Sequence, residues 1–242
     1  MIKLTLPPKP VELTKEKQDE LTGRFKANPK AEVWKQPWIV TPLLTMTFGK
    51  CAYSEMRLGE EGKYAQIEHI HPKSRYPDEV VEWGNLIPSC NVCNAKKFTL
   101  DTKRFPIVNP LIDNPKDFFY IKNGRLNAKD IHCTKAINTL TYCDLNNYDQ
   151  LRKKRIKIEK HLEKRLKEIH ETFPYDNKYW SNELLILMQN CGRTSPYSAT
   201  KSTFILENSD YQQFKRYLIE AYIWDKRFIE AEEELEFCAL PL

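Results

Sequence analysis

Prolines decide first where this chain can be helical. Pro7, Pro8 and Pro10 open it, Pro29, Pro37 and Pro42 interrupt the next thirty-odd positions, and Pro106, Pro110 and Pro115 punctuate the middle. Each removes a backbone donor and crowds the preceding turn, so long helices are excluded through these stretches. The first 45 residues read as a proline-rich lead, one helix in the run KEKQDELTGRF capped by Thr14, and an extended, partly buried segment. Beyond Pro115 the pattern changes. Asn123-Gly124 is a strong two-residue turn signal and predicts a β-hairpin near 117–128. Apolar residues at 148, 151, 158, 162, 166, 169 and 173 recur as one face of a long amphipathic helix from Tyr148 to Phe173. A second helix is expected over about 178–191. A third is expected from Tyr211 to about Leu235, with Phe214, Leu218, Tyr222 and Phe228 on one side.

Composition narrows the class without choosing a function. With 242 residues, 41% hydrophobic and 29% charged, the chain supports a globular fold. A net charge of +5 favours a polyanionic partner only modestly. No uncharged apolar run approaches the roughly 18 residues of a membrane helix. The N-terminus lacks the apolar core of a secretory signal, so a cytoplasmic protein is expected. Seven cysteines, odd in number and irregularly spread, read as metal ligands plus buried thiols rather than a disulfide framework.

The chemistry gathers between Cys51 and Phe98. Glu68 and His69 are adjacent in AlaGlnIleGluHisIle, which alternates like a strand, so their side chains leave opposite faces. Pro72 ends that strand. Asn85 comes next, and then Asn94 near the start of the helix-prone AsnAlaLysLysPhe. Hydrolysis of a phosphodiester needs an activated water and neutralised phosphate charge. A neutral His69 can take the water's proton, while Glu68 and the Asn94 side-chain oxygen suit a hard divalent ion such as Mg2+ or Mn2+. Lys73, Lys96 and Lys97 are the candidates for contacting nucleic acid.

These residues, as Glu68-His69-x-x-Pro72, Asn85-Leu86 and Cys90-x-x-Cys93-Asn94-x-x-Lys97, resemble the HNH, or ββα-metal, nuclease superfamily. The resemblance implies His69 as general base, Glu68 and Asn94 as metal ligands, and Asn85 as the brace of the loop. Glu68 stands where Asp is commoner. CysAlaTyr at 51–53, TrpGlyAsnLeu at 83–86 and AsnPro-x-x-Asp at 109–113 extend the likeness to the PtuB nuclease family of the Septu anti-phage system. That implies an ATPase partner of the PtuA kind, consistent with the lack of a nucleotide-binding glycine-rich loop in this chain. Such nucleases often carry a structural zinc on two CxxC pairs. Here Cys90-x-x-Cys93 is complete, but Ser54 stands where a partner for Cys51 would be. Either His71 or a distant cysteine completes a zinc site built on Cys51, Cys90 and Cys93, or packing replaces the ion.

Plainer readings compete. Asn94 also suits a helix cap. The basic run 152–155, continued by Lys157, Lys160, Lys164, Arg165 and Lys167, reads better as a solvated helix face than as a nucleic-acid track. The acidic stretch 230–236 suits a basic partner surface. His132, Cys133, Cys143, Cys191 and Cys238 read as structural or surface residues.

The expected architecture is α+β: a small ββα-metal module at 48–105, a helix and extended segment at 1–47 before it, and a hairpin plus helical scaffold at 106–242 after it. The expected function is metal-dependent DNA cleavage by the effector of an ATPase-associated defence complex. The alternatives are a free-standing restriction-type nuclease, or an inactive zinc-stabilised nucleic-acid-binding module.

Overall fold

The computed structural model describes residues 1–59, 66–172 and 177–242. In chain order the elements are α1 (Lys15–Ala27), α2 (Pro37–Met46), β1 (Gln66–His69), β2 (Leu86–Ser89), α3 (Asn91–Lys97), β3 (Phe119–Lys122), β4 (Arg125–Ala128), α4 (Thr134–Tyr142), α5 (Lys153–Thr172), α6 (Asn177–Gln189), α7 (Ser198–Glu207), α8 (Ser209–Glu220) and α9 (Lys226–Cys238). Two antiparallel hairpins among helices make this an α+β chain. It forms two compact units, one from residues 3–114 with 130–145, the other from 115–129 with 146–242.

In the first unit, the Thr14 hydroxyl accepts from the Lys17 amide at 3.2 Å and starts α1, which buries Leu21 and Phe25. The extended segment expected next is instead the helix α2. Pro37 costs nothing in its first turn, but Pro42 lies inside it. Ile39 and Leu43, four residues apart, are fully buried. Burying two such side chains contributes about 3–6 kcal/mol, enough to offset an internal proline at about 3 kcal/mol. Both join a core with Leu13, Leu21, Phe25 and Trp34 that packs on Ile67, Val80, Trp83 and Leu86.

That core fixes the β1–β2 register, in which Glu68 faces Ile87 and His69 faces Leu86. A slip of one residue would carry every side chain to the other face. α3 follows β2 directly, completing a ββα unit. Residues 130–145 return to this unit, where the Thr139 hydroxyl accepts from the Val108 amide at 2.7 Å and Lys135 pairs with Asp113 at 2.7 Å.

In the second unit, Lys122 pairs with Arg125 across a two-residue turn. Asn123 and Gly124 both have positive φ, 50° and 65°. This is the hairpin expected from Asn-Gly. A side chain at 124 would also stand 2.7 Å from Ile156 Cγ1, so glycine is required twice over. α5 buries Leu162, Leu166 and Ile169 against Leu184, Met188, Ile205, Phe214 and Phe228. Tyr148 and Leu151 precede it in a single π-turn, and Phe173 lies outside the described residues.

Three cations of α5 pair with glutamates: Lys164 with Glu168 at 3.7 Å, Arg165 with Glu168 and Glu183 at 2.8 Å each, Lys167 with Glu171 at 3.7 Å. Arg155, on the same helix, is buried rather than solvated. The helix expected from Tyr211 to Leu235 is two helices. The chain turns left-handed at Tyr222, φ 59°, and Asp225 caps α9 by accepting from the Arg227 amide at 2.8 Å. Among the described residues no helix is long and apolar enough to cross a membrane.

Candidate active site

Strand alternation sends Gln66 and Glu68 to one face of β1 and Ile67 and His69 to the other. α3 covers the first face. The Asn94 side-chain amide donates to Gln66 Oε1 at 2.5 Å, and the Lys97 ammonium donates to Glu68 Oε1 at 2.6 Å and to the His69 carbonyl at 2.8 Å. Asn94 and Lys97 are three residues apart and so share one side of the helix. Gln66, Glu68, Asn94 and Lys97 are thereby tied together on one side of the β1–α3 contact. Burial pushes the Glu68 carboxyl above the ordinary carboxylate value, despite the Lys97 ammonium beside it.

On the other face, the His69 ring meets the edge of Trp34, with centroids 4.8 Å apart and planes at 86°. His69 Nε2 lies 2.8 Å from the Val80 carbonyl oxygen. A carbonyl can only accept, so Nε2 carries the hydrogen and the lone pair of the neutral ring sits on Nδ1. Burial lowers the imidazole pKa to about 3, although the Val80 carbonyl works against that. The ring is therefore neutral near pH 7, in the tautomer a general base requires.

Although β1 sends them to opposite faces, Glu68 and His69 line one cavity of about 870 Å3 together with Asn94, Gln66, Trp34 and Lys73. Lys73 is partly exposed, its ammonium 4.8 Å from the Trp34 ring centroid. Asn85 is buried in the turn region between the strands. Its Oδ1 accepts from the His71 amide at 2.7 Å, and its amide donates to the carbonyls of His71 and Glu79 at 3.1 Å each. Three bonds from one side chain tie the chain after β1 to the chain before β2.

Lys96 is exposed, as a phosphate contact requires, whereas Lys97 is not. It lies on the side of α3 that packs on β1, is 1% exposed, and is committed to Glu68 and His69 rather than to a phosphate in solvent. Sequence reading missed Gln66, although its place two residues before Glu68 puts it on the same strand face. It also missed Trp34, which is distant in sequence and carries no local signal.

Beneath this site, the sulfurs of Cys51, Cys90 and Cys93 lie within 4.8 Å of one another, all buried. The Ser54 amide donates to Cys51 Sγ at 3.4 Å, and the Ser54 hydroxyl is 3.5 Å from Cys90 Sγ. Among the described residues, neither His71 nor a fourth cysteine joins this cluster. His71 Nδ1 is instead 2.7 Å from Glu79 Oε2. Burial opposes ionisation of Cys51, but the neighbouring thiols of Cys90 and Cys93 and the Ser54 hydroxyl hold it well below the ordinary thiol value. Cys51 in turn pushes Cys90 up to about 11. Three thiols at this spacing could supply three ligands of a zinc ion, and the Ser54 hydroxyl lies beside them.

Comparison with known proteins picks out the same region of the chain. The HNH endonuclease family profile matches residues 56–99, which run from just after Ser54 through β1, β2 and α3. The "Septu protein PtuB" of Bacillus thuringiensis is 37% identical over 238 aligned positions, spanning 93% of this chain and 90% of that protein.

Proposed function

The chain belongs to the PtuB family and carries an HNH endonuclease domain, and on that premise we propose that it cuts DNA as the metal-dependent effector of a Septu-type anti-phage complex in the cytoplasm. The observation that carries the mechanism is the meeting of Glu68, His69 and Asn94 on one cavity, with His69 Nε2 held by the Val80 carbonyl.

In this reading His69 Nδ1 takes the proton of the attacking water, while the Val80 carbonyl and the Trp34 edge hold the ring in place. Asn85 keeps the loop after β1 closed, which fixes the position of His69 from behind. Glu68 and Asn94 hold Mg2+ or Mn2+ through hard oxygen donors. The chemistry such an ion supplies when bound is charge neutralisation on the phosphate and on the departing oxygen. Lys73 at the cavity and Lys96 on the exposed side of α3 meet phosphates of the substrate. Cys51, Cys90 and Cys93 hold a structural zinc that anchors the start of α3. A PtuA-like ATPase subunit acts as partner, because this chain has no nucleotide-binding loop of its own.

The test is incubation of plasmid DNA and of RNA with Mg2+ or Mn2+, comparing the native chain with His69→Ala, each with and without the ATPase subunit. Cleavage should fall by about 100-fold or more in the variant, the usual scale for a lost general base, with nucleic-acid binding retained. Unchanged cleavage by His69→Ala would remove the proposed mechanism. Absence of cleavage by the native chain under every condition would favour a nucleic-acid-binding module.

A further inference from the structure

Phe98 follows Lys97 at the end of α3, and its conformation is unusual twice. Its φ of 43° and ψ of −117° lie in a region that glycine tolerates and side chains with a Cβ avoid. Its ring is also 74% exposed, so burial does not offset the strained backbone. A large aromatic side chain held this way gains little inside its own chain.

Its surroundings indicate what it meets outside. Phe98 lines the cavity that holds Glu68, His69 and Asn94, and it also lines a second groove of about 350 Å3. That neighbouring groove carries Arg75, Lys96 and Arg104, all exposed, and Phe105, which is 40% exposed. The Arg104 guanidinium lies 5.3 Å from the Phe105 ring centroid. Arg75 is oriented by its Nε donating to the Thr99 carbonyl at 3.1 Å. Among the described residues lining this groove, one acid, Asp101, lies with these cations. It already accepts from the Tyr76 hydroxyl at 2.6 Å and from the Lys103 and Arg104 amides at 3.2 and 3.3 Å. Cations alternating with exposed rings are the pattern that binds unpaired nucleic acid, with phosphates meeting the cations and bases stacking on the rings.

We propose that Phe98 is a stacking platform at the boundary of the cleavage cavity, and that the substrate segment beside the cut is single-stranded. A base next to the scissile phosphate lies on the Phe98 ring, and the strand continues past Lys96, Arg75 and Arg104 toward Phe105. A paired duplex hides the base faces that such a ring recognises, so the platform favours unpaired strands. DNA and RNA share this chemistry. This inference rests on the nuclease reading for its placement of the cut, but its binding component stands apart from it.

The test uses the full chain without added Mg2+ or Mn2+ and short oligonucleotides carrying 2-aminopurine, as single-stranded DNA, as single-stranded RNA, and as the matching DNA duplex. The native chain should quench the fluorescence of the single strands, and Phe98→Ala should weaken their binding on the order of tenfold and abolish quenching. Phe98→Trp should retain both. Lys96→Ala and Arg104→Ala should weaken binding and flatten its salt dependence while leaving quenching of the bound strand intact. Phe98→Gly, which relieves the backbone, should melt no lower than the native chain while losing the strand as Phe98→Ala does, which separates lost stacking from lost folding. Equal loss of duplex binding in Phe98→Ala would overturn the proposal in favour of a wedge entering paired DNA. Native affinity and quenching in both Phe98→Ala and Phe98→Gly would overturn it outright. So would an effect of Phe98→Ala confined to binding of the ATPase subunit. Phe98-dependent quenching in a chain that cuts nothing sustains the binding platform while the nuclease reading fails. Cleavage with Phe98-independent binding has the opposite consequence.

Discussion

Lys97 and Glu68 form a closed ion pair beneath the candidate active site, 2.6 Å from nitrogen to oxygen, with the lysine side chain inaccessible and the glutamate 9% exposed. The lysine nitrogen also donates to the His69 carbonyl at 2.8 Å, so one ammonium joins both members of the Glu68-His69 pair to α3. A buried charge pair of this kind contributes little net stability over an apolar replacement, because desolvating two ions offsets their attraction. What it supplies is position. It fixes which oxygen of Glu68 turns to α3.

Removing one partner should therefore be far worse than removing both. Lys97→Met leaves Glu68 as an uncompensated buried carboxylate and should cost about 3–5 kcal/mol in denaturant unfolding. The double variant Lys97→Met with Glu68→Leu should recover most of that loss. A single variant as stable as the native chain would mean that Lys97 reaches solvent and that Glu68 does not depend on it.

Zinc content tests the thiol trio. The purified native chain should carry about one zinc per chain by elemental analysis, and Cys51→Ser should lose the metal and melt at lower temperature. A hydroxyl is a poor zinc donor, so Ser54→Cys should slow loss of the metal to a chelator on the order of tenfold. Metal-free native protein with an unchanged melting temperature would show that these thiols only pack.

The Tyr76–Asp101 contact predicts a pH dependence of stability. The Tyr76 hydroxyl donates to Asp101 at 2.6 Å and, with the Arg104 and Lys103 amides, holds the carboxyl below its ordinary value. A folded pKa lying below the unfolded one gives stability that is fully present above the unfolded value, and that stability is lost as pH falls through the folded one. The stability difference between the native chain and Tyr76→Phe should be constant from about pH 5 to pH 8 and shrink below about pH 4. Guanidinium melts across that range would show it. A difference that grows on acidification would reverse the assigned cause.

What sequence could specify here was local. Thr14 marked the start of α1, and Asn123-Gly124 marked the β3–β4 turn, because a cap and a positive-φ turn are decided by the residues that form them. The order Glu68-His69, Asn85, Asn94 carried the family resemblance, since fixed spacings on a hairpin and a short helix leave little freedom in where side chains point.

Where burial rather than propensity chose, the local pattern was insufficient. α2 forms across Pro42 because Ile39 and Leu43 reach the core. α7 is rich in Ser and Thr, whose hydroxyls are satisfied internally, as when Thr203 donates to the Ala199 carbonyl and Ser202 to that of Cys191. No amphipathic stripe announces such a helix.

The same division runs through the site. Sequence proposed His69 as a base, but its tautomer is set by the carbonyl of Val80 and its neutrality by burial beside Trp34, both brought in from elsewhere in the chain. Sequence made Lys97 a phosphate contact, and only packing of α3 on β1 turned it inward to Glu68. Residue type and spacing name the groups that can react. The contacts made when distant segments exclude water together decide their protonation, their orientation and their exposure.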